Sequence, residues 1–263
     1  MTEILKNFKS GWGFLTVAIF LAFWEIIARF NLLPGHLLPP FSVVMVEFYQ
    51  LTINGVLGKN FLSSLIRVLI GFTAGSTAGI AMGTIMGWNK IANRALNPLI
   101  SLFYPIPALG WIPLLMLWIG INEMLPITLI FICSFFPVLY NTITGIKNID
   151  GDYIKAAKSL GASDLQLLTT VVIPLALPNI FTGLRLEAGM AWRVIIAAEM
   201  IAIPTGIGAL LMKAESLIRI DIIIVCLIVL ALMSLLFEKF FQYLEIRFTA
   251  RWRPDAIYSM QKR

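Results

Sequence analysis

The chain has 263 residues, 59% of them hydrophobic and only 13% charged, with a mean hydropathy of +0.88 and a formal charge of +6. A soluble domain of this length is nearer half apolar and a quarter charged, so the composition excludes an ordinary soluble enzyme and implies an integral membrane protein. Cys133 and Cys226 are solitary within apolar runs, and the single histidine, His36, follows Pro34-Gly35 in a loop, so neither a disulfide framework nor a metal cluster is expected.

Six apolar stretches follow in order, at about Trp12 to Ala28, Phe61 to Gly87, Leu96 to Ile119, Leu125 to Ile146, Leu177 to Ile203 and Ile222 to Leu244. Each approaches or exceeds the ~20 residues that carry a helix across ~30 Å of hydrocarbon. Isolated strands would leave backbone groups unpaired in lipid, so the predicted class is all-α, a polytopic membrane protein with about six transmembrane helices. Lys6 and Lys9 precede the first stretch as they would in a signal peptide. Glu25 sits late in it, however, and "IIARFNLLPG" offers no small-x-small cleavage site, so it reads as a retained span. The chain divides into 1–56 (tail, first helix and external linker), 57–245 (transmembrane core) and 246–263 (basic tail).

The second stretch places Gly71, Gly75, Gly79, Gly83 and Gly87 at intervals of four. Four residues advance a helix by about 400°, so these glycines form one slowly winding groove about 24 Å long. Such a face lets helix backbones approach closely, and the partner is either within this chain or in a second copy. The third stretch carries Pro98, Pro105, Pro107 and Pro113 and is expected to be kinked or interrupted. Pro105 and Pro107 then either line a watery path or simply bend the helix.

Ionisable residues concentrate in the fifth stretch, at Arg185, Glu187, Arg193 and Glu199. Such groups are costly in a membrane and call for partners or a function. Arg185 and Glu199 fall within about 40° of one another around the helix, while Glu187 points elsewhere. Two readings stand: structural pairing with Arg67 and Glu25, or Arg193 and Glu199 beside a translocation route that suits a small anion.

Basic residues fix the expected orientation. With the N-terminus inside, Lys6, Lys9, Lys90, Arg94, Lys147, Lys155, Lys158, Lys239, Arg247, Arg251, Arg253, Lys262 and Arg263 are cytoplasmic, whereas Arg29, Lys59, Lys213 and Arg219 are external. Both termini are thus expected in the cytoplasm of a cell whose inner membrane holds the chain. The positive charge is accounted for without nucleic acid.

The segment "NIDGDYIKAAKSLGASDLQLLTTVVIPLALP", about 150–174, interrupts the apolar pattern on that cytoplasmic side. Asp150 and Asp152 are N-cap types for a helix beginning near Tyr153. Ala156 and Ala157 leave a low surface, and Gly161 tolerates the left-handed conformation that ends the helix. Ser163 with Gln166 forms a capping-box pattern for a second short helix, and Pro174 and Pro178 close the segment. The expected form is a helix-turn-helix lying against the membrane body.

This segment resembles the EAA loop of permease subunits in ABC importers, whose pattern is Glu-Ala-Ala, three residues, Gly, nine residues, Ile-x-Leu-Pro. Here Lys155-Ala156-Ala157 is followed by Gly161 and then Val171-Val172-Ile173-Pro174. The spacing matches throughout, with Lys155 standing for the glutamate and Ile173 for the leucine. "WEIIARFNLLPGHLLPPFSVV", the proline-rich third stretch and "GLRLEAGMAWRVIIAAEMIA" resemble the nitrate, sulfonate, taurine and bicarbonate branch of that superfamily. The resemblance implies a type I importer permease fold and a homodimer of permease copies. It also implies two separate cytoplasmic ATPase subunits that dock on the loop, and an external solute-binding protein.

A GxxxxGK[ST] phosphate loop is absent from the sequence, which agrees with ATP hydrolysis in a separate subunit. No cofactor is expected. The sequence offers no paired catalytic carboxylates or nucleophile with a base, so an embedded enzyme is not expected. A secondary transporter or channel remains the alternative class, and an uncharged vitamin precursor the alternative cargo.

Overall fold

The computed structural model describes residues 12–30 and 37–249, all of it helix and connecting turns. Lys6, Lys9, His36, Arg251, Arg253, Lys262 and Arg263 lie outside the described residues. The helices are α1 (Trp12–Arg29), α2 (Phe41–Ile53), α3 (Val56–Trp88) and α4 (Lys90–Phe103), followed by a 3-10 turn (Ala108–Trp111). Next come α5 (Ile112–Trp118), α6 (Met124–Lys147), α7 (Gly151–Ser159) and α8 (Asp164–Leu167). A π-helical turn (Leu168–Val172) leads into α9 (Ile173–Ala202), then α10 (Ile207–Ser216) and α11 (Ile220–Thr249). Among the described residues four continuous helical rods are long and apolar enough to cross a bilayer, and a bent pair makes a fifth. Helix α1, at 18 residues, is near the lower length limit for a further span.

Helix α6 sits at the centre, with α3 on one side and α9 on the other. Its burial on both faces follows from its sequence, which is apolar all round: Leu125, Leu129, Val138 and Leu139 are fully buried. Helix α11 packs on the far side of α9, and α10 fills the gap between α9 and α11.

The third apolar stretch is not one helix. Helix α4 and the Ala108–Trp118 segment meet at 85°. At 14 residues, α4 is about 21 Å long and cannot cross the hydrocarbon alone. The break falls at Tyr104–Pro107, where Pro105 and Pro107 remove two amide donors and restrict the residues before them. Pro98 is accommodated within α4, and Pro113 occupies the first turn of α5, where its missing N–H is harmless.

The segment expected as an external linker holds a helix of its own. Glu25 of α1 accepts hydrogen bonds from Ser42 N (3.0 Å) and Ser42 Oγ (2.8 Å) at the start of α2, and also pairs with Arg29 at 2.7 Å. Trp24 Nε1 donates to Pro39 O at 3.2 Å. Glu25 therefore anchors α2 rather than pairing with the charges of α9, which corrects one of the two pairings expected from sequence.

Candidate functional site

The five glycines of α3 all face α6 of the same chain. A Cβ on Gly71 would stand 2.7 Å from Ile127 O, on Gly75 2.5 Å from Phe131 O, and on Gly79 2.7 Å from Phe135 O. On Gly83 it would stand 2.7 Å from Thr142 Cβ, and on Gly87 2.9 Å from Ile146 Cβ. The partner position rises by about one turn with each glycine, so the two helices run parallel and in register. Backbone meets backbone at Gly71, Gly75, Gly79 and Gly83, and at Gly87 the Ile146 side chain fills the space. Small residues permit such close contact where lipid supplies no hydrophobic drive. On its other face α6 meets α9 by reciprocal Gly–Asn contacts. Gly145 faces the Asn179 side chain, and Gly183 faces Asn141.

At the end of the bundle away from α7, a buried ion-pair network holds three elements together. Arg67 of α3 and Glu199 of α9 are 3% and 1% exposed. Arg67 Nη1 donates to Glu199 Oε1 at 2.6 Å and to Thr205 O at 2.9 Å. Its Nη2 donates to Thr205 Oγ1 (2.7 Å) and Glu123 Oε1 (2.8 Å), and its Nε to Glu123 Oε2 (2.6 Å). All five guanidinium donors are thereby used.

Glu199 also accepts from Ser64 Oγ at 2.8 Å and Gly208 N at 3.0 Å. Gly206, with φ +112°, donates its N–H to Asn60 Oδ1 at 2.9 Å. Glu123 lies in the loop before α6, and its hydrogen bonds from Arg67 hold its carboxyl below the usual carboxylate range against a smaller opposing effect of burial. Glu199 thus sits in a structural lock rather than on an open path. Arg67 is the partner that sequence reasoning offered; Glu123 and Thr205 were not foreseen, because they lie in turns without periodicity.

Arg193 is placed differently. It is exposed and lines a cavity of ≈ 400 Å³ together with Tyr104, Pro107, Cys133, Phe136, Glu187 and Met190. Its guanidinium approaches Met190 Sδ at 3.5 Å and forms no ion pair among the described residues. Pro107 helps to form the wall, whereas Pro105 does not. Glu187, off the face shared by Arg185 and Glu199 as its helical angle implies, lines this same cavity, between α6 and the broken end of α4. Cys133 of α6 donates its thiol hydrogen to Glu187 Oε2 at 3.5 Å. Arg185 pairs instead with Glu245 of α11 at 3.0 Å.

The polar segment folds as the capped helix-turn-helix expected. Asp150 Oδ1 accepts from Asp152 N at 3.0 Å and caps α7, which starts at Gly151, two residues before the expected Tyr153. Gly161 takes φ +82°, the left-handed value that stops α7. Ser163 N donates to Gln166 Oε1 at 2.9 Å and Gln166 N to Ser163 Oγ at 3.3 Å, a complete capping box for α8. Pro174 lies in the first turn of α9, directly after the π-helical turn, where a missing N–H is tolerated.

Lys155 is exposed and pairs with Asp152 at 3.0 Å, and Lys158 approaches Asp164 at 3.7 Å. Ala156 is exposed, but Ala157 and Ile154 are half-buried against the bundle. Ala157 thus turns toward the bundle, and the free face of the hairpin is built by Tyr153, Ala156, Leu160, Gly161 and Leu165. Leu160 is 89% exposed.

Residues 75–250 match the profile of the family described as binding-protein-dependent transport system inner membrane component. A permease protein of an ABC transporter from Methanocaldococcus jannaschii is 39% identical over 242 residues, 90% of each chain. The taurine transport system permease protein TauC of Escherichia coli is 34% identical, covering 92% of this chain and 89% of its own. The nitrate import permease protein NrtB of Synechocystis is 32% identical over 88% and 86%. Among solved structures, an amino acid ABC transporter with histidines superposes with a TM-score of 0.61 at 21% identity, covering 77% of this chain and 96% of that one. An inward-facing MetNI methionine ABC transporter gives 0.54 at 16%, over 69% and 93%. The chain belongs to the binding-protein-dependent inner membrane component family, as a membrane-spanning permease of an ATP-driven importer, with hydrolysis left to a separate subunit.

Proposed function

We propose that the chain is one of two identical permease copies that together import a small sulfonate or inorganic oxyanion handed over by an external binding protein. Both termini, with the α7–α8 hairpin, face the cytoplasm, and one ATPase subunit docks on the hairpin of each copy. Arg193 lies along the route and offsets the charge of the anion. The observation that carries this reading is the hairpin: Tyr153, Leu165 and Leu160 above all stay exposed among the described residues. A capped, rigid helix that exposes leucine at the basic end of the bundle is a surface made for a protein partner. A channel or a gradient-driven carrier has no use for it.

Closure of the ATPase pair would draw the two hairpins together and rock the spans between outward-open and inward-open forms. The test is co-purification of permease and ATPase, with ATP-dependent uptake in vesicles. Leu160→Asp is expected to reduce association and uptake at least tenfold, while Lys158→Ala behaves as wild type. Arg193→Gln is expected to lower anion uptake with the complex intact. Normal association in the Leu160 variant would remove the docking assignment.

A further inference from the structure

Three carboxylates are buried in the spans, and two of them are supplied with partners. Glu199 has Arg67, Ser64 and Gly208, and Glu245 has Arg185. Glu187 is equally enclosed, at 7% exposure, yet its hydrogen-bond partner is the weak donor Cys133 at 3.5 Å, and it has no ion pair among the described residues. An ionisable group kept at membrane depth without a counter-charge is costly in its charged form, and it is relieved either by taking up a proton or by a ligand that supplies the opposite charge. Arg193 on the same helix presents the mirror-image deficit, a cation with no anion. Both line one cavity of ≈ 400 Å³ whose remaining wall is largely apolar, including Pro107, Phe136 and Met190. That volume and lining fall in the range of small-molecule sites.

The two charges do not neutralise one another. Six residues separate them on the helix, about 9 Å of axial rise and about 120° of turn. No ion pair joins the two side chains among the described residues, so a ligand that carries both a cationic and an anionic group can meet each in the one cavity.

We infer that this cavity is a substrate subsite for a small zwitterion, which sets its sulfonate or other oxyanion on Arg193 and its primary ammonium on Glu187. The inference rests on the importer reading above and names the cargo class more narrowly. A bare oxyanion such as nitrate would satisfy Arg193 but leave Glu187 unpaired, with a second negative charge brought near it. An amino-alkanesulfonate satisfies both. Glu187 is thus the residue that distinguishes the two cargo types, whatever selectivity the external binding protein adds.

The experiment measures binding of taurine, ethanesulfonate and nitrate to the purified permease–ATPase complex in detergent, with no binding protein present. Wild type is expected to bind taurine about tenfold more tightly than ethanesulfonate, the worth of one charge-assisted hydrogen bond. Glu187→Gln should erase that preference, weakening taurine and strengthening ethanesulfonate as the repelling carboxylate is removed, while Arg193→Gln weakens both sulfonates. Equal affinity of wild type for taurine and ethanesulfonate, or a taurine preference that survives Glu187→Gln, overturns the subsite. So does a Glu187→Gln protein that loses its dimer with its ligand preference intact, because Glu187 would then belong to a contact between copies. If Glu187→Gln fails to fold, the ligand series on wild type alone decides. Failure here leaves the importer reading standing wherever Leu160→Asp uncouples the ATPase, so the two can be judged apart.

Discussion

The membrane body and the α7–α8 hairpin use the same small residue for opposite reasons. Gly79 has ordinary helical geometry but no room, since a Cβ there would press on the carbonyl of Phe135 at 2.7 Å. Gly161 has open space on every side but a φ of +82° that other residues rarely adopt. One glycine brings two helices together; the other ends a helix so that it can be presented. The contrast extends to the side chains around them. In the body, buried polar groups such as Arg67 and Glu199 find all their partners within the chain. In the hairpin, Tyr153, Leu160 and Leu165 stay largely exposed among the described residues. The Arg67 lock is satisfied from within, whereas the hairpin leaves apolar surface for the partner proposed above.

The comparison is broken most severely at Arg67. Arg67→Met strands Glu199 as a buried carboxylate and is expected to cost about 3–5 kcal/mol, seen as loss of monodisperse protein in detergent. Adding Glu199→Leu should restore much of the loss, because removing both charges is far cheaper than removing one. A double variant as unstable as the single one would mean that the lock works through Glu123 and Thr205 alone.

Next comes Gly79→Leu, which forces α3 and α6 apart. A cost of about 1–3 kcal/mol or more is expected from overpacking, with thermal unfolding in detergent as the readout. An unchanged midpoint would show that the seam is not tightly closed in solution.

Gly161→Ala is expected to cost about 1–2 kcal/mol through its left-handed backbone, confined to the hairpin. Protease nicking near residue 161 should therefore rise while the global midpoint stays put. Smallest in stability is Leu160→Asp, within about 0.5 kcal/mol, since an exposed residue away from any special feature rarely matters to folding. Its effect should appear only when the ATPase is added. A Leu160 variant that unfolds would mean that the hairpin surface is covered by this chain.

Much of this division could be read from the sequence, and the residues show why. Glycines at a strict interval of four declare a close helix contact, but interval alone cannot say whether the facing backbone is that of α6 or of a second copy. The caps Asp150, Ser163 and Gln166 act within a few residues of themselves, so local spacing was sufficient to place α7 and α8. The short helix α2 was hidden because its start depends on Glu25, seventeen positions before Ser42. The shared cavity of Glu187 and Arg193 could not be read, because a helical wheel gives direction without depth. A cavity that curves around α9 can collect residues about 120° apart, provided that a neighbouring helix is broken where Pro107 breaks it. Arg67 and Glu199 could be suspected as a pair, whereas Glu123 could not, since it lies in a turn 56 residues further on from Arg67.

From Asp164 to Ala202 the chain is one rod of 39 residues, about 58 Å from end to end. It begins beside Leu160 at the exposed face of the hairpin and ends in the Arg67 lock, and it carries Glu187 and Arg193 between them. On the roles proposed above, one helix would link the partner-facing handle, both cavity charges and the locked carboxylate. The π-helical turn at Leu168–Val172 and the prolines Pro174 and Pro178 stand between the handle and the cavity, and they set how much of a twist at the one would reach the other.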